Sequence, residues 1–175
     1  MVKAIVTGAG GRMGGRIISL LAETDGIELA GAVERKGHPL IGKDVGEGLG
    51  LGRIGVIIGD DLAGCIGRGD VVIDFTSHDV SANHLQIAAA HGRAMVIGST
   101  GFTVDEMKKI RERAGEVRCV LAPNMSIGVT VLVKVLADVA RILGADYDVE
   151  IIEAHHNLKK DAPSGTAVKM AQVIA

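Results

Sequence analysis

The sequence predicts an α/β protein: a doubly wound parallel sheet over residues 1–125, followed by a second, smaller unit over 126–175. Two observations carry this. Short apolar β-rich runs alternate with helical patterns along most of the chain, the order that builds parallel sheets. The first such run stops at a glycine turn that opens a helix, and the next run stops at an acidic residue. Bulk properties agree. Hydrophobic residues make up 47% of 175 residues and the net charge is −2, which argues for a packed core and against disorder or a basic nucleic-acid footprint. Aromatic residues are only 2%, too few for base-stacking platforms.

Residues 2–7, Val-Lys-Ala-Ile-Val-Thr, read as the first strand. Gly8-Ala9-Gly10-Gly11-Arg12-Met13-Gly14 follows, then the helical pattern Ile17, Ile18, Leu20, Leu21. Residues 27–33 form the second strand and end at Glu34-Arg35. Strand, glycine turn, helix, strand and acidic end are the parts of a Rossmann-like dinucleotide-binding unit. Glycines let the backbone approach a pyrophosphate, and the helix start offers unpaired N–H groups and a positive dipole end. The spacing is GxxGxxG through Gly8, Gly11 and Gly14, because Met13 stands where a third glycine of GxGxxG would fall. Glu34, about 20 residues beyond the last glycine, is placed to accept from ribose hydroxyls. Arg12 can lie along a phosphate or the adenine. Arg35 is either a 2′-phosphate ligand, which admits NADPH beside NADH, or a solvated strand-end charge.

Residues 36–69 are glycine-rich and poorly periodic, with five glycines between positions 42 and 52. They read as a mobile surface loop, with a strand over 54–58, a short helix over 60–66, and His38 as a loop histidine. A buried strand follows over 70–75, then a helix over 80–91 on which His84 and His91 read as solvated. Phe75 and Thr76 stand where a strand end would meet a cofactor, with a core aromatic as the alternative for Phe75. The strand over 93–97 ends at Gly98-Ser99-Thr100-Gly101. Those small residues suit either a close nicotinamide ribose or a plain turn into the helix over 104–114. A strand over 117–121 closes at Ala122-Pro123-Asn124-Met125, where the Asn124 amide could hold a carboxamide.

Ser126 caps a long apolar helix over 127–143. Lys134, Asp138 and Arg141 interrupt it, so it reads as a buried helix and not a membrane span. A strand over 147–154 then leads to His155-His156, Lys159, and Pro163-Ser164-Gly165-Thr166. Imidazoles, an ammonium and a helix start within a few residues can bind a small anion and move protons. Ser164 and the N–H groups of Gly165 and Thr166 make either a carboxylate site or an ordinary capped helix start. Glu153 can orient His155 or pair with a lysine. A metal reading is poor, because adjacent histidines seldom share one ion and no cysteine accompanies them. Cys65 and Cys119 are isolated and read as half-buried thiols. No secretory leader is evident, and the reading is cytoplasmic.

Gly8-Ala-Gly-Gly-Arg-Met-Gly14, Gly98-Ser-Thr-Gly-Phe102, Ala122-Pro-Asn-Met-Ser126 and Glu153-Ala-His-His-Asn-Leu-Lys-Lys-Asp-Ala-Pro-Ser-Gly-Thr166 together resemble the 4-hydroxy-tetrahydrodipicolinate reductase family, along the whole chain. The resemblance implies NAD(P)H-dependent reduction of a cyclic imine dicarboxylate in the diaminopimelate branch of lysine biosynthesis. Gly8, Ala9, Gly10, Gly11, Arg12 and Met13 would line the pyrophosphate. Glu34 would hold the adenosine ribose and Arg35 a 2′-phosphate. Gly98, Ser99, Thr100, Ala122, Pro123, Asn124 and Met125 would frame the nicotinamide half. His155 and Lys159 would move protons, while His156, Gly165 and Thr166 bind substrate. The family often has a histidine where this chain has Leu158. It also implies that the second unit is the start of an α+β, mixed-sheet domain whose C-terminal part is missing here, and a homotetramer for the full-length protein. The partner is then a small-molecule dicarboxylate, with no nucleic acid or membrane. A nucleotide-binding module without catalysis explains residues 1–125 equally well, but leaves His155, His156 and Lys159 without a purpose.

Overall fold

The computed structural model describes residues 1–157 and 162–175. Leu158, Lys160, Asp161 and the expected proton donor Lys159 lie outside the described residues. The chain divides into two compact units, Met1–Leu121 and Ala122–Ala175.

The first unit is a parallel sheet of six strands among the described residues, in the order β3-β2-β1-β4-β5-β6. β1 (Val2–Thr7) leads through the glycine turn to α1 (Arg12–Glu23) and β2 (Ile27–Val33). A five-residue helix, α2 (Val45–Leu49), precedes the short β3 (Ile58–Gly59). The chain then returns to the other side of β1 as β4 (Val71–Asp74), followed by α3 (His78–Ala90), β5 (Ala94–Ile97), α4 (Val104–Ala114) and β6 (Cys119–Leu121). Strand order therefore reverses between β1 and β4. The carboxyl ends of strands at such a reversal open a crevice in which doubly wound sheets bind ligands.

Alternation along β1 sorts the core. Ile5 packs on one face with Leu85 and Ala88 of α3 and Ile110 of α4. Val6 packs on the other with Ile18 of α1 and Val45 of α2. Both residues are fully buried, as expected of a central parallel strand covered by helices on both faces. α4 starts with a capping box: the Thr103 hydroxyl accepts from the Glu106 N–H at 3.2 Å, and the Glu106 carboxylate accepts from the Thr103 N–H at 2.7 Å. Cys65 and Cys119 are free and half-buried.

The glycine-rich stretch over 36–69 is more organised than its composition suggests. Asp44 is 4% exposed, and its carboxylate accepts from the N–H groups of Gly46, Glu47, Ile54 and Gly55. One buried acceptor thus caps α2 and gathers the following turn. The glycines supply close approach, since a Cβ on Gly46 would stand 2.1 Å from the Gly52 carbonyl oxygen. The expected strand over 54–58 shrinks to Ile58–Gly59, and the expected helix over 60–66 becomes a 3₁₀ turn, Ile66–Arg68.

The second unit contains α5 (Ile127–Leu143) and α6 (Gly165–Ile174), packed on each other. Ser126 caps α5 through its hydroxyl, as its position implied. The expectation that α5 is buried is wrong. None of its residues is buried, and Val131, Leu132, Val135, Val139 and Ile142 are exposed. One ten-residue helix cannot cover a seventeen-residue apolar one. No helix among the described residues is long and apolar enough to cross a membrane. The strand expected over 147–154 does not form either. Apolar character makes a strand only where a neighbouring strand supplies ladder hydrogen bonds, and no described segment pairs with this one.

Gly14 sets the seat of α1 on β1. A Cβ there would lie 2.0 Å from the Gly8 carbonyl oxygen, which is backbone and cannot rotate away. Gly14→Ala would gain about 1 kcal/mol of helix propensity. The overlap outweighs that gain, and a net loss on the order of 2–3 kcal/mol is expected. Urea denaturation of the variant checks this; an unchanged midpoint would contradict the close packing.

Candidate functional site

The glycine turn at the crevice follows from how β1 ends. Gly8 takes φ +67°, a conformation that favours glycine, and turns the chain off the strand. The Ala9 N–H donates to the Val33 carbonyl and the Gly11 N–H to the Gly8 carbonyl, which ties the turn to β2 and to itself. Gly11 is the N-cap of α1 and offers no side-chain cap. The first N–H groups of α1 are thus left for an anion, at the positive end of the helix dipole. Gly10 lies beneath His38, whose Cε1 would be 2.6 Å from an added Cβ. Ala9 is buried, while Arg12 and Met13 are exposed on the first turn of α1.

Glu34 lies at this turn. One of its oxygens accepts from the Gly10 N–H at 3.0 Å and the other from the Arg35 N–H at 2.9 Å. It is 8% exposed, so ribose hydroxyls could use only the lone pairs these backbone bonds leave over. Arg35 is exposed beside it, and the His38 ring accepts from the Leu40 N–H at 3.3 Å.

The carboxyl ends of β4 and β5 meet in a buried polar cluster that the sequence reading missed. Asp74 has no exposed surface. Its Oδ1 accepts from the Thr76 N–H at 3.0 Å, the Thr76 hydroxyl at 2.7 Å and the Ser81 hydroxyl at 2.6 Å. Its Oδ2 lies 2.6 Å from His84 Nδ1. Burial pushes the Asp74 carboxyl up, but hydrogen bonds from His84, Ser81 and Thr76 outweigh it and bring the pKa down to about 2. The carboxylate is therefore ionised and His84 Nδ1 carries the proton between them. The expected solvated His84 is instead 12% exposed and paired. Of the two histidines expected to be solvated, His91 alone is exposed. A sequence cue existed: Ser81 and His84 are three apart and share one face of α3, behind a buried strand that ends in Asp74.

Ser99 joins the cluster, with its hydroxyl 2.6 Å from that of Ser81. Phe75 covers Gly98 so closely that a Cβ there would be 1.9 Å from the ring. Thr100 is exposed. The His78 ring bonds Glu106 at 2.8 Å, fastening the start of α3 to α4.

The second unit has its own cluster. Ser164 caps α6 through its hydroxyl, which accepts from the Ala167 N–H at 3.1 Å. Its own N–H donates to the Glu153 carboxylate at 2.9 Å, and His155 Nδ1 lies 3.6 Å from the same carboxylate. Glu153 thus ties His155 to the start of α6. Gly165 and Thr166 are half-buried, and His155 and His156 are exposed. Asn124 donates to the Thr166 hydroxyl at 3.3 Å and accepts from the Ser126 N–H at 2.8 Å. Its amide is therefore already engaged within the unit. Ala122 is half-buried, and Pro123 and Met125 are exposed.

Comparison with known proteins matches both units. Residues 2–125 match the family description "Dihydrodipicolinate reductase, N-terminus", and residues 128–175 match "Dihydrodipicolinate reductase, C-terminus". The chain is 63% identical over its full length to 4-hydroxy-tetrahydrodipicolinate reductase of Syntrophus aciditrophicus, covering 65% of that protein. It is 57% identical to the enzyme of the same name from Citrifermentans bemidjiense, covering 66% of it. Among solved structures it resembles a dipicolinate-bound dihydrodipicolinate reductase from Paenisporosarcina sp. TG-14, with a TM-score of 0.75 and 30% identity over the whole chain and 66% of that structure. The chain spans a little under two thirds of the length of these curated relatives.

The Asp74 cluster makes stability acid-sensitive. A carboxyl lowered from its ordinary 3.8 to about 2 stabilises the fold fully above pH 4, and that contribution is lost as pH falls from 4 to 2. The contribution is about 2 kcal/mol. Denaturation at pH 6, 4 and 2.5 should show this fall, and Asp74→Asn should remove most of it. An Asn variant that loses stability with the same pH profile would show that other groups carry the effect.

Proposed function

Since the chain belongs to the dihydrodipicolinate reductase family, we propose that it serves the NAD(P)H-dependent reduction of 4-hydroxy-tetrahydrodipicolinate to tetrahydrodipicolinate in lysine and diaminopimelate biosynthesis. The observation that carries this reading is the uncapped start of α1 behind Gly8–Gly11, placed where the strand order reverses. The residues present fit a nicotinamide dinucleotide. Gly10 and Gly11 carry no side chain to block a pyrophosphate, and Gly14 seats the helix start beside the turn. Arg12 and Arg35 are exposed and free to extend toward phosphates, which supports use of both NADH and NADPH. When bound, the nicotinamide supplies the hydride; the protein supplies position and protons.

In this reading Gly8, Ala9, Gly10, Gly11, Arg12 and Met13 hold the pyrophosphate. Glu34, fixed by the Gly10 and Arg35 N–H groups, holds the adenosine ribose. Gly98, Ser99 and Thr100, with Ala122 to Met125, serve the nicotinamide half. In the second unit the Gly165 and Thr166 N–H groups open α6 and suit a substrate carboxylate at the positive end of its dipole. His156 adds a second polar contact. His155 delivers or accepts the proton, with Glu153 behind its Nδ1 orienting the ring. Lys159 is the partner donor.

His155→Ala should lower the rate of substrate-dependent NADPH oxidation by a factor on the order of 10²–10⁴ while nucleotide affinity stays within twofold. Full activity in the variant would remove His155 from the chemistry. Nucleotide binding without turnover by the unmutated chain would instead favour a binding module without catalysis.

A further inference from the structure

The protons of the Asp74 cluster can be assigned one by one, and they all point inward. A serine or threonine hydroxyl has one proton to give and two lone pairs. Thr76 gives its proton to Asp74 Oδ1 at 2.7 Å. Ser81 gives its proton to the same oxygen at 2.6 Å. With that proton committed, the 2.6 Å contact between Ser81 and Ser99 leaves Ser99 as the donor. Beyond Asp74 Oδ2 stands His84, whose Nδ1–H fixes which carboxylate oxygen faces the hydroxyls. Thr76 is half-buried, with its methyl 3.1 Å from where a Gly8 Cβ would be, and Ser99 is 7% exposed at the end of β5. Thr76 thus follows β4 beside Gly8 and Ser99 follows β5, each hydroxyl with only lone pairs left to offer.

We propose that Asp74, oriented by His84, is a positioning residue that makes the carboxyl ends of β4 and β5 a hydrogen-bond-accepting surface, one that takes hydroxyl or amide N–H donors of a ligand and disfavours its anionic groups. This rests on the reading that the first unit binds a nicotinamide dinucleotide, and it deepens that reading. The pyrophosphate is an acceptor and belongs at the N–H groups of α1. The nicotinamide riboside carries hydroxyl and carboxamide donors and belongs at Thr76 and Ser99. The buried carboxylate separates the two halves by hydrogen-bond polarity, on a surface where Thr76 and Gly8 touch.

Asp74→Asn tests the polarity directly. The Thr76 backbone N–H can only donate and keeps the amide oxygen on its side, while the His84 ring can change tautomer and accept from the amide N–H₂. The neutral amide oxygen would hold the Thr76 and Ser81 protons less firmly than the carboxylate does, and the surface would lose much of its accepting character. Fluorescence titration with NADH and calorimetric titration with ADP read the two halves separately, because ADP lacks the nicotinamide riboside. The expected result is NADH affinity about tenfold weaker in Asp74→Asn, with ADP affinity within twofold. Thr76→Val should act in the same direction and Thr76→Ser should restore NADH affinity, and this pair decides the matter should Asp74→Asn lose its folded circular-dichroism spectrum. Unchanged NADH affinity in folded Asp74→Asn and in Thr76→Val, or equal weakening of NADH and ADP, would overturn the proposal while leaving nucleotide binding intact. Failure of the unmutated chain to bind either nucleotide would overturn both.

Discussion

No side chain fits between Gly14 and the Gly8 carbonyl, and the first unit depends on that contact. It lets α1 begin directly against the end of β1, so the first N–H groups of the helix stand at the point where strand order reverses. A larger residue at position 14 would lift the helix off the turn. Gly8 turns the chain off β1 at a positive φ, and Gly10 fits under His38. Glu34 completes the arrangement by accepting from the Gly10 N–H, so the end of β2 is fastened to the turn that β1 begins. Anion binding here is a property of backbone geometry, and side chains only refine it.

The two edges of the crevice differ in kind. On the glycine-turn side the backbone presents donors. On the β4 and β5 side a buried carboxylate takes up the hydroxyl protons and leaves acceptors. Asp74 is costly to bury alone; three hydrogen-bonding side chains make it the lower-energy ionised form. In the second unit Glu153 plays a comparable part on a more exposed surface, accepting from the Ser164 N–H while standing beside His155.

Much of this was legible in the sequence because the relevant rules are local. Alternation and apolar runs marked β1 and β2 at their observed bounds, and Ser126 and Ser164 announced helix starts that the structure contains. What escaped was long-range. His84 looked solvated because its partner is ten residues away on another element. Asp44 looked like one more loop residue because its worth lies in four N–H groups gathered by the fold. Residues 147–154 and α5 looked like interior elements because their apolar character is real, yet burial and strand pairing need neighbours that apolar character alone does not supply. The roles of His155, His156 and Lys159 came from motif resemblance, to which the described residues add the tie from His155 through Glu153 to α6.

The proposed dinucleotide site lies at the carboxyl ends of β1, β4 and β5. Backbone amide NMR of the ¹⁵N-labelled chain, titrated with NADH, tests it most directly. The largest shifts are expected at Gly8 to Met13, Thr76 and Ser99, with small ones at the opposite ends of the same strands, such as Val2, Val71 and Ala94. Shifts concentrated at those amino-terminal ends, or absent from the glycine turn, would contradict it.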